Sequence, residues 1–348
     1  MFLGALVILG LIIFFASYFQ NVYKAPEKDG QDVSFVIEEG QGAGQIAQNL
    51  QKKGLIKSTF WFETYVRFFG EEEDFQAGEY VLNTSMPLKE IVLILTSGQV
   101  TEQEITITII EGWNLRDISS YLEEKGVCSK KDFYQITGEP LVNYFKKTVD
   151  PKAFPRDYSS RFQFWESKPK HYSLEGYLFP DTYKVFSDAG AEEVVLKMLT
   201  NFDQKLSGEM REEIRKQDKT ISEIITMASL LEKEVRSRED MEIVSGIFWD
   251  RIENGQALQS CATLAYILGE NKPRYSTEDT KVESPFNTYQ NQGLPPAPIC
   301  NPGLKAIKAA INPQDSSYNY FLSRPDTGET VFSRTFREHQ QNQQKYLD

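Results

Sequence analysis

The chain has 348 residues, 40% apolar and 25% charged, which is enough to build two packed domains and too apolar for global disorder. Asp and Glu number 50 against 38 Lys and Arg, a formal net charge of −12, so a general nucleic-acid binder is not expected: such a protein needs a basic face to displace counterions. Only His171, His339 and three cysteines are present, too few for a His- or Cys-rich metal site, and neither GxGxxG nor GxxxxGK[ST] occurs.

Met1 to Phe19 carries no charged side chain, and the first charge is Lys24. A helix of this length rises about 28 Å, close to a hydrocarbon core of about 30 Å, so residues 1–22 are expected to form a transmembrane anchor. The alternative, a cleaved signal peptide, would have a shorter apolar core and a small-x-small cleavage site, where this chain has Phe14, Phe15, Tyr18 and Phe19. No Lys or Arg precedes the span, so the charges do not favour an N-terminus in the cytoplasm.

After a polar linker, Val33, Phe35 and Ile37 alternate with polar residues as in a half-buried strand, and Glu39-Gly40 turns the chain. Ile46, Ala47 and Leu50 have helical spacing, and Gly54 closes that helix. The pattern returns 72 residues later: Ile109 for Ile37, Glu111-Gly112 for Glu39-Gly40, Ile118 for Ile46, Leu122 for Leu50 and Gly126 for Gly54. Between the copies, 78–82 reads as a strand and 88–95 as a short helix. Two copies are too few for a solenoid. The region 33–140 is therefore read as duplicated small α+β modules, either binding modules or plain spacers.

Residues 141–170 are aromatic and basic (Lys146, Lys147, Lys152, Arg156, Arg161, Lys168, Lys170) and read as a solvated connection, or as a face for an anionic polymer. From His171 to the end, 171–348, the composition is that of one larger domain.

Within it, Thr220 and Glu223 have the spacing of a capping box, so a helix starts there. At about 100° per residue, Ile221, Ile224, Ile225, Ala228, Leu231 and Val235 make one apolar stripe. Glu232 falls inside the stripe, while Lys233 and Glu234 fall outside it. A carboxyl turned towards a core is costly unless paired, hydrogen-bonded or protonated, and burial raises its pKa. Such a group either acts as a general acid or pairs with an Arg across a seam. Downstream, Gln259, Ser260, Thr263 and Tyr266, then 284–289 with Asn287 and Tyr289, then Gly293 to Pro298, supply amides, hydroxyls and aromatic faces stiffened by proline, the surfaces that carbohydrate sites use.

The run Ala228-Ser229-Leu230-Leu231-Glu232-Lys233-Glu234 resembles the signature of the endolytic murein transglycosylases, the MltG/YceG-like family. Residues 174–183 (LEGYLFPDTY), Leu258-Gln259-Ser260, Asn287-Thr288-Tyr289, Gly293-Leu294-Pro295-Pro296 and Asn301-Pro302-Gly303 match it in the same order. The resemblance implies an α+β chain with an N-terminal transmembrane helix, LysM-like modules and a larger catalytic domain outside the bacterial inner membrane. It makes Glu232 the catalytic acid. It implies cleavage of the β-1,4 bond between N-acetylmuramic acid and N-acetylglucosamine in nascent strands, with 1,6-anhydro ends. Peptidoglycan strands, the membrane and wall synthases are the implied partners, with no metal or organic cofactor. Gln259, Thr263, Tyr266, Asn287 and Tyr289 are candidates to bind the glycan. Glu175 and Glu283 are possible helpers, or a second carboxylate if the enzyme is a hydrolase.

The chain departs from the family where many members have Asp-Pro-Thr; here Cys261-Ala262-Thr263 stands instead. Outside the cytoplasm Cys261 and Cys300 could bridge two site-forming loops, leaving Cys128 free. The rival from another class is a non-catalytic, membrane-anchored wall-binding scaffold. A protease is unsupported, since no Ser/His/Asp order is evident.

Overall fold

The structure, a computed structural model, describes residues 10, 14–26, 30–69, 74–97, 104–145, 154–186, 189–272 and 274–347. Most of the expected anchor over 1–22 lies outside the described residues. Residues 14–22 are helical, and among the described residues no helix is long and apolar enough to cross a membrane.

The chain divides into two compact units, 1–103 and 104–348. In the first, β1 (Asp32–Ile37) leads through Gly40 to α1 (Ala43–Lys52) and α2 (Thr59–Phe69), and the chain returns as β2 (Gly78–Asn83) before α3 (Leu88–Ser97). β1 and β2 pair antiparallel, Phe35 opposite Tyr80. The alternation read from the sequence sends Phe35 and Ile37 inward, where they meet Ile46 and Leu50 of α1, Phe62 of α2 and Ile91 of α3 in a separate core.

The second unit opens with the second copy of the repeat: β3 (Glu104–Thr108), α4 (Leu115–Glu124) and α5 (Lys130–Thr137). The copies match in backbone as well as side chains, since Gly40 and Gly112 share φ 80° and Gly54 and Gly126 have φ 74° and 73°. Each strand pairs antiparallel with the strand that follows its two helices, but the connection is longer in the second copy. β3 pairs antiparallel with β4 (Thr182–Phe186), Ile107 opposite Tyr183. The duplicated region expected over 33–140 is therefore split at 103, and its second half shares one core with the larger domain expected from 171. The physical reason is that β3 pairs with β4 only after residues 138–181, whose buried aromatic side chains belong to the same core.

The segment 154–170 is not the solvated connection its charge suggested. Tyr158, Phe162, Phe164 and Trp165 are buried in that core, and Lys168 is 3% exposed, donating from Nζ to the carbonyls of Pro169 and Tyr172 at 3.0 and 2.7 Å. Lys146, Lys147 and Lys152 lie outside the described residues.

The remaining helices are α6 (Ala191–Lys205), α7 (Gly208–Lys216), α8 (Ile221–Glu234), α9 (Arg238–Glu253), α10 (Cys261–Leu268) and α11 (Leu304–Ile311). A hairpin of β5 (Tyr320–Ser323) and β6 (Thr330–Ser333) and then α12 (Phe336–Tyr346) close the chain. α8 begins with the expected capping box, Thr220 accepting from the Glu223 N–H and Glu223 from the Thr220 N–H. α11, α9 and α10 surround it. Its apolar stripe is buried from Ile224 onward, and so are Thr226, Met227, Ser229 and Leu230 on its other side, which makes it a central helix rather than an amphipathic surface one.

Candidate active site

The C-terminal end of α8 delivers Glu232 to a junction of two backbone segments, the Glu111-Gly112 turn after β3 and the Asn301-Pro302-Gly303 segment before α11. Glu232 is half-buried, and its Oε2 accepts the Gly303 N–H at 2.9 Å. Burial raises the carboxyl above its ordinary pKa. The Gly303 N–H, Lys233 and Lys305 pull against that, while the Glu111 charge adds to it. A carboxyl so placed holds its proton more tightly than a free Glu and can still reach a bound ligand.

Gly112 sits against this group. With φ 80° it favours glycine, and a Cβ there would stand 3.5 Å from Glu232 Cγ and 3.6 Å from Lys233 Cδ. Lys233 Nζ donates to the Gly112 carbonyl at 3.3 Å. On the other side, Gly112 N–H donates to the Asn301 carbonyl at 2.9 Å and Asn301 N–H to the Trp113 carbonyl at 2.8 Å, so the two segments are laced together.

Asn301 is fully buried. Its Oδ1 accepts from the N–H groups of Gly176 and Leu178, each at 3.0 Å, and its Nδ2 donates to the Trp113 carbonyl at 3.0 Å and to Glu175 Oε1 at 3.1 Å. Glu175 is 1% exposed and also accepts from the Leu115 N–H, at the start of α4, and from the Tyr266 hydroxyl at 3.1 Å. Burial pushes its carboxyl up to about 8 despite these donors and Arg116. Glu175 thus stands behind the junction and touches Glu232 through Asn301 and the backbone, not directly.

The other expected residues divide by accessibility. Gln259 is exposed on a left-handed backbone (φ 52°), pinned by its N–H to the Thr288 carbonyl at 3.1 Å. Tyr289 is half-buried, its hydroxyl 3.1 Å from Cys261 Sγ. Thr263, Tyr266 and Asn287 are buried. Thr263 Oγ1 donates to the Ser260 carbonyl at 2.8 Å, Tyr266 is engaged with Glu175, and Asn287 Nδ2 donates to the Thr280 and Val282 carbonyls. Their polar groups are consumed in holding the loops. Glu283 is exposed and makes no hydrogen bond or ion pair among the described residues.

Two expectations are corrected. Glu234 does not point into solvent: the start of α10 covers it, Ser260 Oγ donates to its Oε1, the Ala262 N–H lies 3.5 Å away, and burial raises it as well. The Cys261–Cys300 bridge is absent, all three cysteines being free. Cys300 is fully buried and its thiol donates to the Ser229 carbonyl at 3.3 Å, whereas Cys261 is exposed beside Tyr289. Each thiol is turned to a different partner.

Beside the junction lies a cavity of about 160 Å³ lined by Asn114, which caps α4, by Arg116 and Asp117 of its first turn, by Lys233, and by Ala262, Tyr266 and Glu270 around α10. Lys233 is common to the cavity and the junction; Glu232 lies outside the cavity lining. Among the described residues no group of three or more His, Cys, Asp or Glu is gathered to hold a metal ion. Sequence reasoning missed the Gly303 N–H and the Glu111-Gly112 turn as parts of the site. The 72-residue repeat marked that turn but carried no hint of its neighbour.

The YceG-like family model matches residues 35–345. The chain is 33% identical over 332 residues to the endolytic murein transglycosylase of Bacillus subtilis (strain 168), spanning 95% of this chain and 89% of that one. It is 30% identical over 331 residues to the endolytic murein transglycosylase of Streptococcus pneumoniae (strain D39), spanning 91% of this chain and 58% of that one. A crystal structure of a putative yceG-like protein from Listeria monocytogenes superposes with a TM-score of 0.55 at 29% identity, covering 90% of this chain and all of the other.

Proposed function

Since the chain belongs to the YceG-like family, we propose that it is an endolytic peptidoglycan transglycosylase with Glu232 as its acid. The observation that carries this reading is the half-buried Glu232 carboxyl, held by one backbone N–H and raised by burial, at a junction whose Lys233 also lines the neighbouring cavity. Glu232 protonates the oxygen of a muramyl–glucosaminyl β-1,4 bond. As that bond breaks, the muramyl C6 hydroxyl oxygen attacks C1 and its proton passes to the ionised Glu232. A 1,6-anhydro ring results, and no water is consumed. The attacking group belongs to the same sugar, so it acts at high effective concentration, and one carboxyl can make both proton transfers where a hydrolase divides the work between two.

The remaining parts of the proposal are architectural. The β1–α1–α2–β2 arrangement supports a LysM-like, wall-binding first unit. The uncharged Met1–Phe19 segment supports a single-pass anchor in the bacterial inner membrane with the enzyme on its outer side, near the synthases whose nascent strands it cuts. Product analysis tests the activity. Uncrosslinked glycan strands incubated with the full chain should yield 1,6-anhydromuramic ends. Reducing ends would assign a hydrolase, and intact strands a scaffold.

A further inference from the structure

Glu111 lies on the Glu111-Gly112 turn, exposed, with no hydrogen bond or ion pair among the described residues. It is nevertheless packed closely at one place. A Cβ on Gly303 would overlap its Oε1 and Cδ and stand 2.8 Å from its Cγ. The same Gly303 gives its N–H to Glu232. Two carboxyl groups from elements 121 positions apart therefore approach one glycine, Glu232 at its nitrogen and Glu111 over its α-carbon.

The repeat supplies an internal comparison. Gly40 has the same φ as Gly112 and the same preceding Glu, yet a Cβ at Gly40 would meet nothing within 4 Å, whereas at Gly112 it would meet Glu232 and Lys233. The turn itself does not require a site; only the second copy carries one. A carboxylate beside half-buried Glu232 opposes the ionisation of that acid, an effect that a merely structural surface turn does not call for.

We propose that Glu111 is a second catalytic carboxylate of the cleavage site, stabilising the positive charge that develops at the muramyl anomeric carbon. This rests on the proposed transglycosylase reading. In the step, the Glu232 proton goes to the glycosidic oxygen, the C1–O bond breaks with its electron pair on the leaving sugar, O6 bonds to C1, and the O6 proton returns to Glu232. Glu111 exchanges no proton; its charge offsets the transient cation. Its second effect is on Glu232 itself, whose other charged neighbours are Lys233 and Lys305.

The test uses the full chain on uncrosslinked strands, with wild type, Glu232→Gln, Glu111→Gln and Glu111→Asp assayed across pH. Glu111→Gln should lower kcat by about 100-fold with KM little changed. The alkaline limb of its residual activity should move to lower pH, because a like charge beside Glu232 is gone. Glu111→Asp keeps the charge and should recover kcat to within about tenfold of wild type, with the limb restored. Should the Gln variant melt early, Glu111→Ala, which leaves Gly303 uncrowded, replaces it. A kcat within about twofold of wild type, a loss carried by KM alone, or no gain from Asp over Gln overturns the role of Glu111. Those results leave the transglycosylase reading standing if Glu232→Gln is dead, whereas an inert wild type overturns both.

Discussion

The Asn301 side-chain amide donates to the buried Glu175 carboxyl at 3.1 Å, while the Asn301 backbone carbonyl accepts from Gly112 beside Glu232. A single residue thus connects the most deeply buried acid of the site to the turn that flanks the reacting one.

Glu175 should make stability depend on pH. Its carboxyl titrates near 8 in the fold, against an ordinary value near 4.5, so the folded state binds the proton more tightly. The folded form is favoured below the unfolded value and loses that advantage as pH rises towards about 8, at up to about 1.4 kcal/mol per pH unit. Denaturant titrations of wild type and Glu175→Gln at pH 5 to 8 should diverge in this sense. Parallel curves would show that the carboxyl titrates normally.

Glu232→Gln should abolish strand cleavage while leaving the melting temperature close to wild type, since Gln can still accept the Gly303 N–H. Wild-type activity should fall as pH climbs through the raised Glu232 pKa, because the acid must start protonated. Residual cleavage by the Gln variant would move the acid elsewhere.

Gly303→Ala isolates the crowding at the junction. The backbone there is extended (φ −75°), so alanine brings no conformational penalty, but its methyl overlaps the Glu111 carboxyl. Stability should change by less than about 1 kcal/mol and strand cleavage should drop at least about tenfold. Full activity would mean that neither acid is positioned by this contact.

The free thiols predict graded alkylation. On the folded protein Cys261 should react and Cys300 should not, the latter labelling only after unfolding, because it is fully buried while Cys261 is exposed. Both thiols are raised in pKa, so labelling of Cys261 should be slow at neutral pH and quicken with alkali. Non-reducing peptide mass spectrometry showing a Cys261–Cys300 bridge would contradict the arrangement.

What the sequence reveals here follows from the range of the forces involved. The capping box of Thr220 and Glu223, the helix to Glu234 and the repeated turns are local, and side-chain identity within a few residues specifies them. The pairing of β3 with a strand around Tyr183 is not local, and no pattern near Ile107 announces it. Glu234 was misplaced because a helical wheel assumes one wet face, whereas α8 is enclosed on most sides. Thr263 and Asn287 carry the hydrogen-bonding groups that a glycan site needs, but buried loops consume such groups on their own backbone. The Gly303 N–H has no side-chain signature at all.

The twin strand–turn–helix units have gone to different employments within one polypeptide. The earlier copy keeps both halves of its own ribbon and an unoccupied bend at Gly40. The later one closes its ribbon only with Thr182–Phe186, across a long stretch of chain, and sets its bend against Glu232. A fragment cut to start at His171 would therefore begin with an orphaned strand edge and an acid stripped of its backing, so any enzyme trimmed for the bench must begin no later than Glu104.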